Sequence, residues 1–254
     1  MSDPTDKGPN GAIDRRTVVV HYHFFKCAGT SVSHALSDAF GDRFVTWEGP
    51  DGRGLSPAGL SERIEGHPEV RVVSSHTAYP PPPELPDVTV VPVVFLRHPL
   101  DRVRSVYEFE RRQKEPTLGA RMAKENDLAG FIEWGLADAR EDPRMAEFQT
   151  TRLGGWNRPD KAQRAMDAVV AWEFIGVVEE YEPSLAALQT LLQRTWAGVR
   201  LRAYHDNAMR GGKLDERLRQ FRQQIGIELY ARLERANQSD LAIWRAAMAR
   251  YNSR

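Results

Sequence analysis

Lys26, Gly29, Thr30 and Ser31 fall within one hexapeptide, KCAGTS (26–31), which combines a cation, two hydroxyl donors and a residue that permits a tight backbone path. They lie between a β-branched and aromatic run, TVVVHYHFF (17–25), and an amphipathic one, TSVSHALSDAF (30–40). A small-residue loop between a strand and a helix aims backbone N–H groups and the positive end of the helix dipole at an anion. Lys26, Cys27, Ala28, Gly29, Thr30 and Ser31 thus read as a phosphate cradle, the alternative being a structural turn with a solvated lysine. The cradle is not the G-x-x-x-x-G-K-[ST] loop, because its lysine precedes the glycine. Arg97 follows a second apolar run, VTVVPVVFL (88–96), where a P-loop ATPase would carry a magnesium-binding aspartate. A guanidinium there suits a metal-free, bidentate phosphate. Ser105, about two turns into the next helix, is placed to donate to the same group. Arg102 and Arg104 share that helix, either near the anion or on its solvated face.

Three separate stretches must be brought together for such a site. Strands are expected over 17–25, 70–76 and 88–96, with shorter ones at 43–47 and 172–178. Pro92 predicts a bulge or a late start in the third long strand. Residues 41–60 read as a turn-rich stretch, and AYPPPPELPD (78–87) as an extended loop or lid edge. Helices are expected over 30–40 and 98–113, the latter with Pro99 at its first position, over most of the chain from about 126, over 182–196, and over a long C-terminal run broken near Asn237. Strands alternating with helices imply an α/β, P-loop-like, three-layer fold with a central, mostly parallel sheet and a helix-rich C-terminal half. Ligands bind beyond the carboxyl ends of strands in such sheets, and Lys26, His76 and Arg97 end the three long strands.

The 254 residues carry 35 basic and 35 acidic side chains, so no global field favours nucleic acid or an anionic membrane, and any anion must be held locally. The lone cysteine, Cys27, excludes an intramolecular disulfide framework and leans toward a reducing compartment. Residues 1–16 are polar, lack the apolar centre of a signal peptide, and predict a loose tail ahead of a single domain over 17–254. No apolar run reaches spanning length, so no membrane insertion is expected.

FFKCAGTSV resembles the 5'-phosphosulfate-binding loop of sulfotransferases, and VVFLRHPLDRVRSVYEF resembles their 3'-phosphate-binding segment, in the same order and spacing. More narrowly, the chain is similar to the sulfotransferase family that includes heparan sulfate 2-O-sulfotransferase and many bacterial members. FQTTRLGG (148–155), WEFIGVVEEYEPSLAALQ (172–189) and HDNAMRGGK (205–213) are further echoes, so the resemblance spans most of 17–251. It implies 3'-phosphoadenosine 5'-phosphosulfate as donor, an acceptor hydroxyl as partner, in-line transfer and no metal. It assigns Lys26 to the leaving phosphate oxygen, residues 27–31 to the 5'-phosphate, and Arg97 with Ser105 to the 3'-phosphate. Set against the membrane-anchored, secretory carbohydrate members of that family, the lack of an anchor and of disulfides implies a cytoplasmic setting.

Transfer to an alcohol needs a base. The family often places a histidine after the second strand, which makes His76 the candidate here, with Glu48 of TWEGP as the second. His34 is read as capping or packing, and His21 and His23 as sheet residues. Arg210, Gly211, Gly212 and Lys213 are candidates to close over the donor, or a plain link between helices; Gln149 and Arg152 are candidates to face donor or acceptor. Two positions depart from the family pattern: Phe25 precedes the lysine where proline is common, and His98 follows Arg97 where aspartate is frequent. The rival readings are a nucleotide-dependent kinase and a noncatalytic nucleotide-binding protein. The acceptor pocket is expected from 46–66, 77–87 and the helices of 115–165, with Trp47, Tyr79, Trp134 and Trp156 either stacking on the acceptor or in the core.

Overall fold

Val18, Val20 and Tyr22 point to one side of the first strand and Val19 to the other, and all are buried, so the strand is covered on both faces as parallel central strands are. The computed structural model describes residues 15–50, 53–137, 144–205 and 212–252. In chain order the elements are β1 (Arg16–Tyr22), α1 (Gly29–Phe40), β2 (Phe44–Thr46), α2 (Pro57–Gly66), β3 (Val72–Ser75), β4 (Val88–Leu96), α3 (Pro99–Arg112), α4 (Leu118–Glu125), α5 (Leu128–Ala137), α6 (Phe148–Gly154), α7 (Lys161–Ala171), β5 (Gly176–Val177), α8 (Tyr181–Leu192), α9 (Leu214–Ile225), α10 (Ile227–Arg235) and α11 (Gln238–Asn252). The strands form one five-stranded sheet in the order β2-β3-β1-β4-β5, every pair parallel.

Two helical layers cover this sheet, giving a three-layer α/β fold. Val18, Val20, Val73, Val94 and Leu96 pack with residues of α2, α6, α7 and α11. Val19, Val72, Val93 and Phe95 pack with Val32 and Leu36 of α1 and Leu188 and Leu192 of α8. A third cluster joins α3, α5, α9 and α10 around Leu100, Val103, Phe131, Phe221 and Leu233. No helix of the described residues is long and apolar enough to cross a membrane.

Several boundaries differ from expectation for identifiable reasons. β1 stops at Tyr22, and His23 and Phe24 already belong to the loop. The expected strand at 172–178 shrinks to Gly176–Val177: Trp172 stacks on Tyr22, and Phe174 and Ile175 are core residues, which explains their strand-like composition. Helix α2 occupies part of the turn-rich stretch. Ser56 accepts the Gly59 N–H, Pro57 takes the first position, and only Leu60 and Ile64 are buried, a weak apolar face. Pro92 stays in register opposite Val20 with no bulge. Among the described residues β4 has no strand on its other side there, since β5 pairs only with Phe95 and Leu96, and an edge tolerates proline. The long C-terminal helix is broken between Arg235 and Gln238, at Asn237 as expected, and α3 begins at Pro99.

Candidate functional site

Parallel pairing sends all five strand ends to one edge of the sheet, and each delivers a residue of one site. β2 leads to Glu48, β3 to His76, β1 to His23 and the 25–31 loop, β4 to Arg97, and β5 to Glu179. A cavity of about 390 Å³ lies there, lined among others by His23, Lys26, Ala28–Ser31, His76, Arg97, Ser105, Glu179 and Arg217.

The cradle is a strained turn. Lys26 and Ala28 adopt φ of 62° and 59°, a left-handed conformation that costs an ordinary residue about 1 kcal/mol or more. The Cys27 N–H donates to the Phe24 carbonyl at 3.2 Å, and the Lys26 carbonyl accepts from Arg97 Nη1 at 3.1 Å. Ala28, which precedes α1, offers no side-chain cap, and Ala28, Gly29, Thr30 and Ser31 put the start of the helix at the cavity wall. Gly29 is helical, which corrects the expectation that it frees the turn. Its missing side chain makes room for His23 instead, since a Cβ there would lie 1.9 Å from the ring. The Lys26 Nζ sits 4.7 Å from the Phe109 ring centroid, and burial, then the Arg97 charge, lowers its pKa. Phe25 meets Phe109 edge-on at 5.3 Å and forms part of the wall. The Cys27 side chain points away from the cavity toward Gln149 Oε1, and burial pushes the thiol up to about 12.

Arg97 is held from three directions. Its Nε and Nη2 donate to Asp101 Oδ2 at 2.9 and 2.6 Å, its Nη1 reaches the Lys26 carbonyl, and its peptide is bracketed by the Gln149 amide. Asp101 is also gripped by Arg217, through Nε at 3.0 Å and Nη2 at 3.2 Å. Burial would raise the Asp101 carboxyl, but Arg97 and Arg217 hold it at about 2. Two guanidiniums thus share one buried carboxylate beside Ser105, and both line the cavity.

Both base candidates belong to one unit. Glu48 accepts the His76 N–H at 2.9 Å, the His76 Nδ1 at 2.9 Å, the Thr77 N–H at 2.9 Å, the Thr77 hydroxyl at 2.6 Å and the Ser75 hydroxyl at 3.2 Å. A carboxylate offers about four lone-pair sites, so Glu48 has none to spare for a substrate proton. Burial alone would raise its pKa; the His76 N–H, the Thr77 hydroxyl and the His76 ring outweigh that and hold it at about 2. With Nδ1–H donating to Glu48, the other ring nitrogen of His76 carries the lone pair. The arrangement orients the His76 ring through a carboxylate.

Gln149 and Arg152 support this site from outside the cavity, which corrects the expectation that they face a ligand. Gln149 is fully buried, and its backbone N–H is held by Asp240 at 3.1 Å. Arg152 Nη2 donates to the carbonyls of His76 and Ala78 at 2.6 and 3.0 Å. Arg102 is buried over the Phe148 ring, and its Nη2 reaches the Arg144 carbonyl; Arg104 pairs with Glu108 at 3.5 Å. His98 is buried edge-on to Trp244, and burial takes its pKa down to about 4. Of the RGGK stretch, Arg210 and Gly211 lie outside the described residues. Gly212 gives its carbonyl to Arg217 Nη1 at 2.7 Å, and neither it nor Lys213 lines the cavity. Among the expected aromatics Trp47 packs on the core and Trp134 on the α3/α5 cluster, while Tyr79 and Trp156 are exposed.

His23, Arg217 and Glu179 also line the cavity, and none of them is a site candidate from the sequence. The alternation of His21, Tyr22 and His23 reads as strand, and Arg217 sits in a helix whose charge pattern reads as a solvated face. Glu179 accepts the His98 N–H at 2.9 Å and the Trp244 Nε1–H at 3.0 Å. Tyr181, Tyr204 and His205 close the cavity at the end beyond β5, with the Tyr204 hydroxyl on Asp38 at 2.7 Å. Among the described residues no group of three or more His, Cys, Asp or Glu side chains is arranged to hold a metal.

The fold and site define a parallel α/β protein with a cation-rich cavity at its strand ends. No protein-family model matches the chain. It is similar to an uncharacterized protein of Archaeoglobus fulgidus, 29% identical over 249 residues that cover 93% of this chain and 98% of the relative.

Proposed function

We propose that this protein is a sulfotransferase that moves the sulfuryl group of 3'-phosphoadenosine 5'-phosphosulfate to an acceptor hydroxyl. One observation carries the reading: Lys26 just before the start of α1, the Arg97–Ser105–Arg217 cluster, and a carboxylate-oriented histidine all meet in a single cavity. The donor set fits such a nucleotide. It comprises an ammonium, two hydroxyls and the start of a helix for the 5' side, and two guanidiniums and a hydroxyl for a 3'-phosphate. The 390 Å³ volume lies within the range of about 300–1,000 Å³ typical of small-molecule sites.

The nucleotide, when bound, supplies an activated sulfuryl group on a phosphate leaving group. Lys26 meets the negative charge that grows on the leaving oxygen, an interaction stronger in the transition state than in the ground state. His76 takes the acceptor proton, and Glu48 stabilises the imidazolium that results. Arg97 and Arg217, preset on Asp101, hold the 3'-phosphate.

Calorimetric titration with 3'-phosphoadenosine 5'-phosphate, with ADP as control and with and without magnesium, tests the reading. Binding that needs the 3'-phosphate and collapses in Arg97→Ala is the expected result. Equal or tighter ADP binding that requires magnesium overturns it in favour of a kinase.

A further inference from the structure

We infer that His23 is a positioning residue for the base: its ring is the platform that keeps the His76 imidazole on Glu48 with the second nitrogen available to the cavity. This rests on the reading of His76 as base. The Nδ1 contact at 2.9 Å pins one corner of the His76 ring, and a single hydrogen bond leaves the ring free to swing about it. The His76 side chain is 56% exposed, so solvent covers one side. On the other lies His23, ring centroids 3.8 Å apart and planes 29° from parallel.

The platform itself cannot recede. Its edge packs on Gly29, where an added Cβ would sit 1.9 Å from Cδ2 and 2.3 Å from Nε2. His21 stacks behind it at 5.5 Å, buried in β1 and tied through Nδ1 to the Ser74 hydroxyl at 2.9 Å. Three rings therefore run from the sheet interior to the base, with the cradle glycine as the opposing wall. Burial first, and then the proximity of His76, take His23 down to about 3, so at neutral pH it offers an uncharged π face. Such a face attracts the imidazolium formed when His76 accepts a proton, where a cationic side chain would repel it. Sequence proximity hides this role, because His23 reads as the next outward position of β1.

The experiment compares His23→Ala, His23→Leu and His23→Phe in the full chain. Leucine fills the space without a flat face, and phenylalanine restores the face without the nitrogens. The first readout needs no substrate: nitrogen NMR of the His76 ring, which reports the share of neutral imidazole protonated at Nδ1 and the exchange protection of that proton. The second is turnover beside affinity for 3'-phosphoadenosine 5'-phosphate, with thermal melting to confirm folding. In the alanine and leucine variants the Nδ1–H signature should weaken and kcat fall about tenfold to a hundredfold, the scale of a misplaced catalytic group. Nucleotide affinity should change much less, and phenylalanine should recover the signature and most of the turnover. An unchanged signature in alanine and leucine overturns the inference, as does a phenylalanine variant as impaired as alanine, which would assign the role to a ring nitrogen. If the wild-type protein neither binds the nucleotide nor transfers sulfuryl groups, the sulfotransferase reading fails by itself, and the NMR comparison still decides whether His23 positions His76.

Discussion

Replacing Gln149 by glutamate exchanges one NH2 for an oxygen and leaves the shape intact, so it isolates the clamp on Arg97. Gln149 Oε1 accepts the Arg97 N–H at 2.8 Å while its Nε2 donates to the Arg97 carbonyl at 2.9 Å. The same Nε2 is 3.5 Å from Asp240 Oδ2, and the whole side chain is buried. An ionised carboxylate here would set an anionic oxygen against the Arg97 carbonyl and against Asp240. A protonated one keeps both bonds by donating its O–H. The introduced carboxyl is therefore driven to stay neutral, and its folded-state pKa rises above the unfolded value of about 4.3.

A group raised in this way contributes its full stability below the unfolded pKa, and the contribution is lost as pH climbs to the folded pKa. The loss runs at about 1.4 kcal/mol per pH unit between the two values, so a rise of about two units costs about 3 kcal/mol. Against a total of about 5–15 kcal/mol that is a large fraction. At roughly 2–4 °C per kcal/mol for a chain of this size, the variant should melt about 6–12 °C below wild type at pH 8 and close to it at pH 4. Thermal melts of wild type, Gln149→Glu and Gln149→Leu across that range are the assay, with the leucine variant showing a loss that does not vary with pH. A glutamate variant whose difference from wild type is the same at pH 4 and pH 8 would refute the clamp.

On the proposed function, Glu48→Gln should lower turnover by about tenfold to a hundredfold while sparing nucleotide affinity, because it loosens His76 without touching Lys26, Arg97 or Ser105. Since the Glu48 carboxyl is held at about 2, its contribution to stability is complete above the ordinary carboxylate range and lost as pH falls toward 2. Acid titration followed by circular dichroism should then be shallower between pH 4 and 2 in the glutamine variant, and an unchanged slope refutes the assignment. Gly29→Ala drives a Cβ to 1.9 Å from the His23 ring, so a loss of about 1–3 kcal/mol in denaturant unfolding is expected. Wild-type stability in that variant would mean that the ring has room to retreat.

The fold was legible because its core strands are nearly continuous apolar runs bounded by turns, a pattern that survives without tertiary information. The strand-end rule then put Lys26, His76 and Arg97 on one edge, and the structure places them on one cavity. The same local logic misled at 172–178, where core aromatics imitate a strand, and at α2, whose apolar face is only Leu60 and Ile64. What stayed hidden is what makes the site rigid. Gln149 grips Arg97 across 52 residues of chain, Asp240 holds Gln149 across 91, and Arg217 meets Asp101 across 116. Gln149 stands out in the sequence only as a candidate to face a ligand, and neither Asp240, a helical aspartate, nor Arg217, an arginine among other charged helix residues, carries a signature of its own. Their value comes from the buried polar group each one satisfies, and such a group exists only once distant elements are packed. Residues that would touch an anion can therefore be found from residue type and spacing, whereas those that hold them in place are found by asking where the backbone N–H of Arg97 and the carboxylates of Asp101 and Glu48 obtain their partners.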